Sequence, residues 1–175
     1  AEAGVLRAVN PALAALTGAL SCQHAKPGLI RALIGTRVDP YLFGLSYDYV
    51  GDLSETVALL WPAPPPREAG PGHNVPPLHL SDVVGALATS GKLDLPALIA
   101  GWLDALDETG RWALLKLITG SLRIGVSARL AKTAVAELGG KAANEIEEVW
   151  HGLRPPYIDL FAWVEGREDK PDATD

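Results

Sequence analysis

Apolar residues recur at three- and four-residue spacing along almost the whole chain, and no strand-length segment alternates strictly between apolar and polar. That single periodicity excludes a sheet protein and predicts an all-α fold. Punctuation by proline and glycine limits the helices to short ones. Capping residues followed by proline mark starts at Asn10-Pro11 and Asp39-Pro40, and further starts are expected at Pro27, Asp52, Ser81, Pro96, Ser127, Asn144 and Pro155. Stops at Gly91, Gly120, Gly139 and Gly152 fit left-handed positions after a helix end. This spacing gives about nine or ten short helices in two packed lobes.

The lobes are expected to meet at Trp61 to Leu78, where nine residues are Pro or Gly. Proline removes backbone donors and glycine resists ordering, so residues 62–78 read as an extended loop between an N-terminal lobe (1–61) and a C-terminal lobe (79–166). Residues 167–175 read as an acidic tail. A chain of 175 residues that is 48% hydrophobic can bury a sizeable core, and five Trp supply large packing surfaces. The single Cys22 excludes an internal disulfide and a zinc quartet, which suits a cytoplasmic protein. No stretch has the roughly 20 apolar residues of a membrane span, and the chain is expected to be a monomer without membrane association. It contains no Met, and it is expected to be a piece of a longer chain.

Charge gives the first functional signal. The net charge is −6, yet from Arg111 to Lys132 there are five cations (Arg111, Lys116, Arg123, Arg129, Lys132) and no Asp or Glu. At the centre lies Thr119-Gly120-Ser121-Leu122-Arg123-Ile124-Gly125-Val126-Ser127, a turn with two glycines and a hydroxyl placed to cap the next helix. Such a turn can offer backbone N–H groups and guanidinium groups to a phosphate together. Arg129 and Lys132, three apart on the following helix, share a face near its positive end. Charge runs are usually solvated faces, and a plain helical hairpin is the competing reading. His24, with Lys26 beside it, can add a second phosphate contact at the start of the Pro27 helix. His73, His79 and His151 form no metal pattern, and no metal ligand set or catalytic nucleophile is expected.

Two stretches resemble a family. Gly51-Asp52-Leu53-Ser54-Glu55-Thr56-Val57-Ala58 and Leu115 to Ser127 are similar to the signature stretches of the N-terminal DNA-binding domain of ATP-dependent DNA ligases, particularly bacterial ones. The similarity continues through Ile146 to His151 and Leu160 to Trp163, covers about Leu16 to Gly166, and is weakest over residues 1–10. It implies a helical domain that grips nicked duplex DNA across the minor groove. Carried to this chain, it implies that the backbone of Gly120, Ser121 and Gly125, with Arg123 and Lys116, holds DNA phosphates; Thr119 and Ser127 of the same turn are expected to contact DNA with them. Arg129 and Lys132 come from helix geometry alone. Gly51 to Glu55 reads as structural, with Asp52 or Ser54 capping a helix and Glu55 pairing with a cation of the other lobe, because carboxylates repel phosphate.

Ligases of this kind attack ATP with the lysine of a Lys-x-Asp-Gly motif. Here the nearest strings are Lys92-Leu93-Asp94-Leu95 and Lys170-Pro171-Asp172-Ala173, neither ending in Gly. ATP and Mg, and any nick sealing in repair, replication or recombination, are therefore expected of a full-length ligase, with its catalytic domains as partners, and not of this segment. A helical interaction module with an acidic protein partner is the alternative. A sequence-reading helix-turn-helix is disfavoured, since Ser127 to Leu138 lacks the Asn or Gln that would read base edges.

Overall fold

A computed structural model describes residues 11–20, 26–63 and 78–172. The fold is all-helical, with ten helices and no strand among the described residues. Residues 11–16 are helical (α1). There follow α2 (Pro27–Gly35), α3 (Pro40–Val50), α4 (Leu53–Leu60), α5 (Leu80–Thr89), α6 (Leu95–Ala105), α7 (Glu108–Ile118), α8 (Ala128–Leu138), α9 (Ala143–Trp150) and α10 (Ile158–Val164).

Helix starts follow side-chain chemistry closely. Pro27 and Pro40 occupy the first helical position, where a missing N–H costs nothing. Asp39 accepts from the amides of Tyr41 and Leu42, Asp52 from Glu55, Asp107 from Gly110 and Ser127 from Leu130, at 2.8–3.1 Å. At α9 the order is reversed: the Glu145 carboxylate accepts the Ala142 N–H at 2.9 Å. The start expected at Pro155 falls later: Tyr157 takes a left-handed conformation, and α10 begins at Ile158.

Packing divides the chain into two units, one formed by residues 22–122 and the other by residues 1–21 together with 123–175. This is not the division expected at residues 62–78. Val57 and Trp61, before that stretch, share one buried cluster with Val83, Ile99, Leu103, Leu115 and Ile118 after it. Burial of apolar area outweighs the local tendency of proline and glycine to separate elements.

In the inserted unit, 22–122, α4 packs on both α3 and α7, and α2 packs on α6. Arg111 serves structure here. Its Nε donates to the Leu103 carbonyl at 2.7 Å and its Nη1 to the Trp61 carbonyl at 3.2 Å, satisfying carbonyls near the ends of α6 and α4. The Trp61 indole donates to Asp104 at 2.8 Å, and the Arg37 guanidinium joins the same carboxylate at 3.4 Å while lying 5.0 Å from the Trp61 ring centre.

In the split unit, α8 packs on α9 and α10. Its core includes Leu13 and Ala14 of α1 with Val135, Ile146, Val149, Leu160 and Phe161. Gly139 is not the left-handed residue expected at the end of α8; Gly140, with φ +60°, is. Gly139 is required for a different reason: a Cβ there would lie 2.5 Å from the Val164 carbonyl oxygen. Neither Gly91 nor Gly152 adopts positive φ. The acidic tail is more than a linker over its described residues. Lys170 pairs with Glu148 of α9 at 2.6 Å, and Arg167 pairs with Glu165.

Candidate nucleic-acid interface

The acid-free run of sequence does not stay acid-free once folded. Lys116, in the last turn of α7, meets Asp52 at the start of α4, with Nζ 2.5 Å from Oδ2. Burial alone would raise the Asp52 pKa. The hydrogen bond and charge of Lys116, with the amides of Glu55 and Ser54, outweigh that and hold the carboxyl below its ordinary value. Residues 51–58 and 115–127 are thereby joined through their charges. The acid that pairs is Asp52, which also caps α4, and not Glu55; Ser54 is buried. Lys132 is likewise taken: its Nζ lies 2.6 Å from Glu147 of α9 and 4.9 Å from the Trp150 ring centre.

The Gly120 and Ser121 amides, expected to hold phosphate, close α7 instead. Gly120, with φ +72°, reverses the chain, so that its N–H reaches the Leu117 carbonyl at 3.2 Å and the Ser121 N–H reaches Lys116 at 2.9 Å. This paired closure satisfies the otherwise orphaned carbonyls of the last turn. Thr119 is similarly committed, its hydroxyl donating to the Leu115 carbonyl at 2.7 Å.

What is left open begins at Arg123. The boundary between the units falls after Leu122, which leaves Lys116, Thr119, Gly120 and Ser121 in one unit and Arg123, Gly125, Ser127, Arg129 and Lys132 in the other. Arg123 and Arg129 are exposed, and neither guanidinium has a hydrogen-bond or ion-pair partner among the described residues. From Arg123 to Ser127 no backbone N–H has an internal acceptor there, and Gly125 turns the chain with φ +77°. Ser127 Oγ accepts the Leu130 amide at 3.1 Å, while the Ala128 and Arg129 amides face the open first turn of α8 without an internal acceptor. Ile124, Val126 and Leu130 stand exposed among these cations. The segment can therefore offer two guanidinium groups, a series of free donors and three apolar side chains to one extended anion.

Lys26, in the other unit, is exposed just before α2 and makes no side-chain cap. His24 lies outside the described residues, as do Cys22 and His73. His79 precedes α5 without capping it, and His151 is exposed at the end of α9. Among the described residues no group of three or more His, Cys, Asp or Glu is clustered as metal ligands, and no helix is long and apolar enough to cross a membrane.

Sequence reasoning missed Asp52 and Glu147 as partners of two candidate lysines. A signal existed for Glu147. Helices α8 and α9 are joined by a short turn, and Lys132 and Glu147 stand nearly equidistant from Gly140, where an antiparallel helical hairpin brings residues together. Nothing comparable links Lys116 to Asp52, which are 64 residues apart. In comparisons with known proteins, the chain matches no family model, no curated protein and no solved structure.

Proposed function

We propose that this chain is a DNA-binding domain that holds duplex DNA by its phosphates through Arg123, Arg129 and the free amides between them. Following the resemblance of residues 51–58 and 115–127, its role is to hold nicked duplex for an ATP-dependent DNA ligase whose catalytic domains lie outside this segment. The observation that carries the reading is that two guanidinium groups without a counter-charge among the described residues stand beside a run of backbone donors without an acceptor there, in a chain whose net charge is −6. Phosphate contacts of this type position a protein without reading bases, so sequence preference is slight. The exposed Ile124, Val126 and Leu130 suit the sugar walls of a minor groove.

Binding should be measured on nicked, intact and single-stranded DNA across a salt series. With two principal phosphate contacts, the logarithm of affinity falls with the logarithm of salt at a slope of about −2. An Arg123→Ala/Arg129→Ala variant loses this binding, whereas Lys132→Ala retains it. Salt-indifferent binding, or an unchanged double variant, removes the DNA reading. Equal affinity for nicked and intact duplex removes only the ligase role.

The same exposed apolar side chains favour a second reading, a helical module whose partner is an acidic protein helix. Competition separates the two: duplex DNA displaces such a partner only where both occupy the Arg123 to Leu130 segment.

A further inference from the structure

The inserted unit leaves uncovered an apolar surface that the DNA reading does not use. Helix α3 has no buried residue, and its Tyr41, Leu45 and Tyr49, spaced four apart on one stripe, are 75%, 53% and 93% exposed. Beside it, Leu59 of α4 is 50% exposed and lines two adjoining grooves. One, between α3 and α4, is walled by Leu45 and Tyr49; the other, between α4 and α7, is floored by Ala58 and walled by Trp112. An isolated exposed leucine is ordinary, but a contiguous run of aromatic and aliphatic side chains across three helices is the usual mark of an interaction surface.

Charge at this surface has one sign. Glu55 and Glu108 line the α4–α7 groove, and Asp48 stands on α3 one turn from Leu45. Among the described residues, none of the three carboxylates has an ion-pair partner and no Lys or Arg lines either groove. Elsewhere in the same unit the acids Asp52 and Asp104 are paired with cations. An anionic polymer is repelled from such a surface, as is the net-negative bulk of a second copy.

The geometry points to a docking site for a basic amphipathic helix of another protein. Its apolar stripe lies along Leu45, Tyr49, Leu59 and Trp112, and its flanking Lys or Arg side chains meet Asp48, Glu55 and Glu108. Complementary charge of this kind sets partner choice and orientation, while the aromatic and aliphatic contacts supply most of the affinity. This inference does not depend on the DNA-binding role.

The test uses the whole chain and a fluorescein-labelled helical peptide of about 15 residues, long enough to span the surface at 1.5 Å per residue, with one leucine stripe and lysines elsewhere. Its counterpart carries glutamate in place of lysine. The lysine peptide binds at least tenfold more tightly than the glutamate peptide, and amide shift changes map to α3, α4 and α7. Tyr49→Ser/Leu59→Ser weakens binding about tenfold or more, and Glu55→Gln/Glu108→Gln weakens it severalfold and flattens its salt dependence. All four positions are exposed, and unchanged circular dichroism establishes that the variants remain folded. Arg123→Ala/Arg129→Ala leaves peptide binding unaltered. Equal binding of the two peptides, shifts confined to other helices, or unchanged affinity in both surface variants overturns the inference. So does a dimer that forms with rising concentration and dissolves in Tyr49→Ser, which would give the face to a second copy.

Discussion

Lys116 and Asp52 form a contact between two sequence-distant helices, and it gives the fold an acid-sensitive point. The Asp52 carboxyl is held below its ordinary pKa in the folded chain, so the ionised form is favoured by folding. Its stabilising contribution is complete above the unfolded-state pKa and is lost as pH falls through the lower folded value. Urea midpoints measured from pH 6 down to about pH 2 are expected to fall more steeply for the native chain than for Asp52→Asn, which lacks the titrating group. Parallel curves for the two proteins would remove the pair from the acid response. Lys132→Ala loses an ion pair and a contact with the Trp150 ring, a cost of about 0.5–1 kcal/mol measurable by urea unfolding. At this scale the sequence is legible where the chemistry is local, as in the caps at Asp39, Asp52 and Ser127. It is not legible for Lys116, because a charge count over neighbouring residues contains no term for a carboxylate 64 positions away.

Two glycines that end helices show how similar positions in a pattern meet different demands. Gly120 needs its left-handed backbone and has open space around its missing side chain, whereas Gly139 has an ordinary φ and no room. Gly120→Ala therefore costs about 1–2 kcal/mol of backbone strain while leaving packing intact. Gly139→Ala forces α8 away from the end of α10 and costs about 1–3 kcal/mol. The two are separated by crystallography or by amide shifts, which change in α10 only for the second variant. The helices themselves were legible from periodicity and from prolines at their first turns. Their ends were less so, because a Gly139-Gly140 pair does not say which residue reverses the chain and which one admits a neighbouring carbonyl.

Two separate apolar cores organise the whole molecule. Ile99→Ala and Leu160→Ala each delete a fully buried side chain, one from each core, and each is expected to cost about 2–5 kcal/mol. Hydrogen exchange should accelerate mainly in α2–α7 for the first and in α1 and α8–α10 for the second. Equal acceleration throughout the chain by either change would mean that the cores do not define separate units. The all-helical class was plain from spacing alone, but the partition was not. Nine prolines and glycines after α4 interrupt the chain without interrupting the core, since Trp61 and Val83 pack in the same cluster.

Helix α1 shares its core with α8, α9 and α10, while the helices α2–α7 that lie between them in sequence pack around another. During synthesis the ribosome delivers that intervening segment whole while α1 still lacks its neighbours. The nascent chain must therefore carry Leu13 and Ala14 without their final companions until Phe161 has left the exit tunnel, and a chain arrested when residue 122 has just emerged from the tunnel should already protect α2–α7 from protease but not α1.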